Sequence, residues 1–238
     1  MSSEQETGIR EIAQTSGIPK SSVQRLLADL QEGNWVAQDP RTGSYRIGLR
    51  LLVLANAWRF RFELVRQSME VLEELCTQSG QTVLLLVRDG LSGICLNKAE
   101  PERALKLVAD IGKTFPLYAA ACGKILLAYS TPALQERVLT SPIQSFTQST
   151  ITDPEILQKE IITIREKGYA RSYGEMTAGA AEIAIPLLDG EGNILAALSI
   201  AGPLFEMEGH MEEYKHLLWK AVSKILGYPA PGEEIATR

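Results

Sequence analysis

The chain carries only three cysteines and two histidines in 238 residues. Cys76, Cys95 and Cys122 are an odd number at no metal-like spacing, and His210 and His216 add no ligand set, so no zinc framework is expected. The same count excludes a disulfide lattice and points to free thiols in a reducing cytoplasm. No run of about 18 uncharged apolar residues occurs, so no membrane-spanning helix is expected. The start, "MSSEQETG", lacks the basic head and apolar centre of a secretory signal.

Catalytic signatures are missing as well. There is no GxSxG, no HExxH and no GxGxxG following a strand. "ACGK" contains Gly123-Lys124 but has Tyr118 where a phosphate loop needs its first glycine, and no Ser or Thr follows the lysine. Cys122 at a helix start would have a lowered pKa if exposed, but a small buried residue is the plainer reading. No enzyme, cofactor, metal or catalytic residue is therefore expected.

A strong basic excess is lacking too. The net charge is -5, which argues against coating nucleic acid non-specifically. Residues 1–60 hold seven Lys/Arg against six Asp/Glu, whereas residues 61–238 hold 17 against 23. Any polyanion surface belongs in the N-terminal quarter.

That quarter has an ordered pattern. "IREIAQTSG" places Ile9, Ile12 and Ala13 on one face of a short helix closed by a glycine turn. In "IPKSSVQRLLADLQEG", Val23, Leu26, Leu27 and Leu30 form an apolar stripe, Pro19 suits the first helical position and Gly33 suits the stop. The opposite face offers Ser21, Gln24, Arg25 and Ala28. "WVAQDPRTGSYRIG" then reads as two strands around a turn built on Asp39-Pro40 and Gly43. Helix, turn, helix and hairpin is the order of a winged helix-turn-helix. Lys20, Ser21 and Ser22 would hold phosphates at the helix start, Gln24 and Arg25 would reach base edges, and Arg41, Thr42 and Ser44 would lie along the backbone or minor groove. The bland alternative is a solvated amphipathic helix with a solvated hairpin.

The stretch "IREIAQTSGIPKSSVQRLLADLQEGNWVAQDPRTGSYRIGLRLLVLA" resembles the DNA-binding half of the IclR family of bacterial transcription regulators. "GKTFPLYAAACGKILLAY", "TITDPEILQKEIITIREKGYARSYGE" and "AALSIAGP" are similar to that family's effector domain. The resemblance implies a regulator whose operator binding is controlled by a small-molecule metabolite, acting as a homodimer or dimer of dimers. The fold it implies is α+β: a winged helix-turn-helix over residues 1–47, a linker helix over 48–60, a GAF-like effector domain with a central antiparallel sheet over 61–228, and a tail over 229–238. The family has a further helix ahead of "IREIA". A truncated start is the expected explanation; the alternatives are cover from another subunit, or a metabolite sensor that has lost DNA binding.

Beyond Gly48, "GLRLLVLANAW" and "RFRFELVRQSMEVLEELCTQSG" read as two helices, with Leu49, Leu52, Val53 and Leu54 on the first and Leu64, Met69, Leu72 and Leu75 on the second. A hairpin is expected around Asp89-Gly90, a strand over "RALKLVAD", helices over "ILLAYS", "PALQERVLT" and "DPEILQKEIITIREKG", three strands around Gly190–Gly192, and a closing helix from His210. "PLYAAACGK" puts small residues at a helix start, where open backbone N–H groups would favour an anion. By resemblance, the effector pocket is lined by Leu107, Phe115, Ala121, Cys122, Ser172, Ala180, Glu182, Ser199 and Ala201. Glu182 departs from the family pattern, in which Cys, Ser, Ala or Arg usually stands nearby. A mid-strand carboxylate needs a partner, and Arg171 or a ligand hydroxyl or amine is expected to supply it.

Overall fold

The computed structural model describes residues 7–51, 59–103 and 109–229. The chain divides into two compact units, residues 1–63 and 64–238. In the first, α1 (Ile9–Ser16) ends on Gly17 in the left-handed region and α2 (Lys20–Glu32) follows after a short turn. Strands β1 (Val36–Gln38) and β2 (Tyr45–Ile47) pair antiparallel, with Val36 opposite Ile47. Asp39 organises their turn by accepting from the N–H groups of Arg41 and Thr42. Thr7 adds a bridge to Tyr45, exchanging backbone bonds of 3.0 and 2.9 Å, so the chain ahead of α1 is tied to the hairpin.

Three expectations change here. Pro19 is the residue before the first helical turn, with extended backbone, and Asn34 rather than Gly33 takes the left-handed conformation after α2. The four-residue stripe is half covered: Val23 and Leu27 are buried, whereas Leu26 is 50% and Leu30 41% exposed. Angle accounts for Leu26 and not for Leu30: Leu26 is turned about 60° from Val23 and about 100° from Leu27, at the margin of the buried face, whereas Leu30 lies within about 60° of both but in the last turn of α2. Gly48 closes the hairpin by donating to the Trp35 carbonyl at 2.8 Å. The contact is so tight that a Cβ there would lie 2.2 Å from the Asn34 oxygen. Arg50 lies 4.8 Å over the Trp35 ring and bonds the Gly33 carbonyl.

Helix begins again at Leu49; most of the expected linker helix, with Leu52, Val53 and Leu54, lies outside the described residues, as does most of the strand expected over "RALKLVAD". The second unit is an α+β sandwich. Its sheet runs β5 (Thr114–Pro116), β4 (Ser92–Ala99), β3 (Thr82–Asp89), β8 (Ile194–Pro203), β7 (Ala180–Leu188), β6 (Ala170–Tyr173), antiparallel throughout. The pleat sends alternate residues to two cores. Val83, Leu85, Ile183, Ile185, Leu198 and Ile200 face α3 (Arg59–Ser79) and α8 (Met211–Leu226), the latter preceded by the short α7 (Leu204–Met207). Leu84, Leu86, Ala184 and Ala197 face α4 (Ala121–Ala128), α5 (Pro132–Thr140) and α6 (Pro154–Lys167). Asp153 caps α6 through the N–H groups of Glu155 and Ile156, with Pro154 in the first turn.

On α3 the buried line is Leu64, Ser68, Val71, Leu72 and Leu75. Met69, expected on that line, is 55% exposed, because it falls on the far side of the i, i+4, i+7 series that starts at Leu64. Each fully buried Leu or Ile of these cores contributes roughly 1.5–3 kcal/mol.

Candidate functional site

The first residues of α2 stand open. Lys20, Ser21, Ser22, Gln24 and Arg25 are all exposed, as are Arg41 and Thr42 at the hairpin turn. Ser44 is half-buried and its hydroxyl bonds that of Thr42 within the turn. Two hydroxyls, an amide and two cations thus occupy the first two turns of a helix backed by Val23 and Leu27. That is a surface able to donate to phosphates and base edges.

The second unit holds a cavity of about 590 Å³ between the sheet and α4, in the size range of small-molecule sites. Its construction begins with the packing of α4. Gly123 approaches β5 so closely that a Cβ would lie 2.5 Å from the Pro116 carbonyl oxygen. Just before the helix, Ala120 is held at φ 62°, ψ 162°, a region open almost only to glycine. Backbone strain of about 1–3 kcal/mol of this kind persists only where surrounding structure enforces it.

What enforces it is a set of acidic caps. Glu182, from the middle of the sheet, accepts from the N–H of Ala121 at 2.7 Å and of Cys122 at 3.4 Å. Glu175 accepts from the Ala120 N–H at 3.2 Å. The expectation of open N–H groups at this helix start is therefore corrected: the chain's own carboxylates occupy them, because β7 places Glu182 on the face that meets α4. Arg171 is not the partner of Glu182. In the β6–β7 register Ser172 lies opposite Glu182 and Arg171 opposite Ile183, so Arg171 points to the other face and pairs with Glu212.

Glu175 is itself anchored by Lys124, whose ammonium lies 2.7 Å from Glu175 Oε1, 3.0 Å from Glu160 and 2.9 Å from the Arg171 carbonyl. Lys124 is 1% exposed, the largest of the fully buried side chains among the described residues. Thr150 and Thr147 bond the Glu175 and Gly174 carbonyls, fixing the loop that closes one side of the cavity.

Burial pushes the Glu182 carboxyl above its ordinary range, opposed by the donors around it. Burial, and then the Glu182 charge, push the Cys122 thiol well above the ordinary thiol range, and burial raises Cys95 to about 11. Such thiols are poor nucleophiles. Among the described residues, no cluster of His, Cys, Asp and Glu could hold a metal ion.

Of the residues assigned to the pocket, Phe115, Cys122, Ser172, Ala180 and Glu182 line the cavity. Ala121, Ser199 and Ala201 are each 0% exposed and do not line the cavity: Ala121 turns into the α4 core, and Ser199 stands behind the wall with its side chain beside those of Glu182 and Cys122. Leu107 lies outside the described residues. Sequence reasoning missed Tyr118 and Phe146, whose stacked rings (6.2 Å) form the rim, together with Met176, Thr177 and Lys113. The Tyr118 hydroxyl accepts from the Gln144 N–H and holds that loop in place. Only the amphipathic character of Tyr118 signalled such a rim.

Two family models match, the IclR helix-turn-helix domain over residues 1–40 and the bacterial transcriptional regulator IclR C-terminal domain over residues 60–226. The HTH-type transcriptional regulator KipR of Bacillus subtilis is 31% identical over 227 residues, covering 92% of this chain and 90% of the relative. The crystal structure of an IclR transcriptional regulator from Silicibacter sp. TM1040 superposes with a TM-score of 0.74 at 30% identity, covering 96% of this chain and 92% of that one. An IclR homologue from Microbacterium hydrocarbonoxydans, solved with 4-hydroxybenzoate, shares the fold with a TM-score of 0.78 at 24% identity, covering 95% and 92% of the two chains. Both units and the order in which they follow one another thus have counterparts in one group of proteins, and this chain belongs to the IclR family of bacterial transcription regulators.

Proposed function

We propose that the protein is a transcription regulator that binds a double-stranded operator through residues 1–47 and is controlled by a small metabolite held in the cavity beside α4, within residues 61–228. The observation that carries the reading is the pairing of two built features in one chain. One is an open helix face with Lys20, Ser21, Ser22, Gln24 and Arg25. The other is a 590 Å³ cavity walled by Phe115, Cys122, Ser172, Ala180 and Glu182. Lys20, Ser21 and Ser22 grip phosphates; Gln24 and Arg25 read bases; Arg41 and Thr42, with Ser44 bracing the turn, follow the backbone.

The protein acts as a homodimer or dimer of dimers, with residues 48–60 as linker and 229–238 as tail. The open apolar residues Ile47 (75% exposed) and Leu49 (77%) support an oligomer contact at the start of that linker. Ligand binding then shifts the setting of paired DNA-binding units and changes their fit to two half-sites. It works in the cytoplasm, where its three buried cysteines stay as thiols. No helix among the described residues is long and apolar enough to cross a membrane.

Selection from a random pool of DNA duplexes tests the reading. The full chain enriches a discrete site, and Gln24→Ala changes the bases enriched. Recovery of no preferred sequence by the intact chain counts against operator binding.

A further inference from the structure

The two carboxylates that line the cavity differ in their surroundings. Glu175 is neutralised by Lys124. Glu182 has no ion-pair partner among the described residues, since Arg171, its nearest candidate by sequence, is engaged by Glu212 on the opposite face of the sheet. What Glu182 has instead is the start of α4, where one carboxylate oxygen takes the Ala121 and Cys122 N–H groups. A helix start is where a ligand anion would otherwise be received. Here that seat is filled from inside the chain, by a side chain that also forms part of the cavity wall and is only 8% exposed. Among the described lining residues the one cationic side chain is Lys113, which is exposed, at the far side from Glu182 on the approach to β5.

We propose that Glu182 acts as a built-in anion at the start of α4, so that the cavity selects ligands presenting hydroxyl or ammonium donors toward β7 and rejects carboxylates at that position. The proposal rests on the reading of this cavity as the effector site and names the chemistry it takes. A carboxylate brought against this wall meets a like charge in a water-poor setting and finds the backbone donors already used. A hydroxyl or amine meets an acceptor, and Ser172, directly opposite Glu182 in the sheet and also on the wall, offers a second polar group. The aromatic rim of Tyr118 and Phe146 covers the apolar part of the same ligand.

Titration calorimetry on the full chain with matched pairs tests this. Each pair keeps one skeleton and exchanges a carboxylate for a donor: 4-hydroxybenzoate against 4-hydroxybenzylamine, gluconate against glucitol, and 4-hydroxybutyrate against butane-1,4-diol. In at least one pair the donor member binds the wild type about tenfold or more tighter than the acid, and Glu182→Ser, which frees the helix start, reverses that preference. Acids that bind the wild type as tightly as their partners, or a preference that Glu182→Ser leaves unchanged, overturn the proposal while leaving the cavity reading intact. Binding that survives Ala180→Phe, a substitution that fills the cavity, places the ligand elsewhere. That result, or silence of every pair with both proteins, overturns the cavity reading and the proposal with it.

Discussion

The Lys124 ammonium lies 2.7 Å from the Glu175 carboxylate, with the lysine side chain 1% and the glutamate side chain 7% exposed. This pair joins the helix beneath the cavity to the loop that closes it. Removing one partner leaves a buried charge uncompensated, which costs about 3–5 kcal/mol, whereas replacing both is far milder. Lys124→Met is therefore expected to lower the melting temperature sharply, and the double variant Lys124→Met/Glu175→Gln to recover most of the loss. Melting curves of the three proteins decide it; equal losses for the single and double variants would contradict the coupling.

Glu182 gives a pH dependence of defined sign. Its carboxyl is raised above the ordinary 4.5 by burial, so the native state holds the proton over a range where the unfolded chain has released it. The stability it contributes is present below about 4.5 and is lost as pH rises through the higher native value. Denaturant titrations across that window should show wild-type stability falling with pH relative to Glu182→Gln, whose profile is flatter. A wild-type profile that rises more steeply than the variant's contradicts the assignment.

Gly48 admits no side chain. A Cβ there would press on Asn34 and Trp35 backbone atoms at 2.2 and 2.7 Å, and backbone cannot turn aside as a flexible side chain does. Gly48→Ala is expected to destabilise the hairpin by about 1–3 kcal/mol. Hydrogen exchange reads this locally: amides of residues 36–47 lose protection while those of residues 82–99 keep theirs.

Gln24 and Arg25 are exposed on α2, so truncating them leaves the unfolding free energy within about 0.5 kcal/mol of wild type. Each alanine variant is expected to weaken the selected operator by about 1–3 kcal/mol, and to relax preference at one base position. Anisotropy titrations against the selected duplex and its point variants measure both quantities.

Cys122 is buried, with its thiol pushed well above the ordinary range by burial and by Glu182. Alkylation by iodoacetamide at pH 8 is expected to be slow in the native protein and rapid once it is unfolded. Fast native labelling of Cys122 would reopen a nucleophilic role.

Much of the scaffold was legible because its signals are local. Asp153-Pro154 opening α6, Asp89-Gly90 turning β3 into β4, and Gly190–Gly192 before β8 each act within a few residues of themselves. The order helix, turn, helix, hairpin came from the same kind of signal. What escaped depends on partners far apart in sequence. Glu182 caps a helix 61 residues away, and whether it meets Arg171 or α4 is decided by a one-residue register alternation that no local pattern carries. Lys124 reads as a surface cation until Glu160, Glu175 and the Arg171 carbonyl converge on it. The stripe on α2 was overread for a related reason: spacing gives the face of a helix, but which part of that face is covered depends on the elements packed against it.

The most direct test of the account is a titration of the selected operator duplex with the full chain, with and without a donor-bearing ligand, for the wild type and Ala180→Phe. The account predicts that the ligand changes the apparent Kd of the wild type at least about fivefold, and leaves Ala180→Phe, which still binds the duplex, unchanged. A ligand that binds the wild-type cavity and leaves operator affinity unaltered would contradict it.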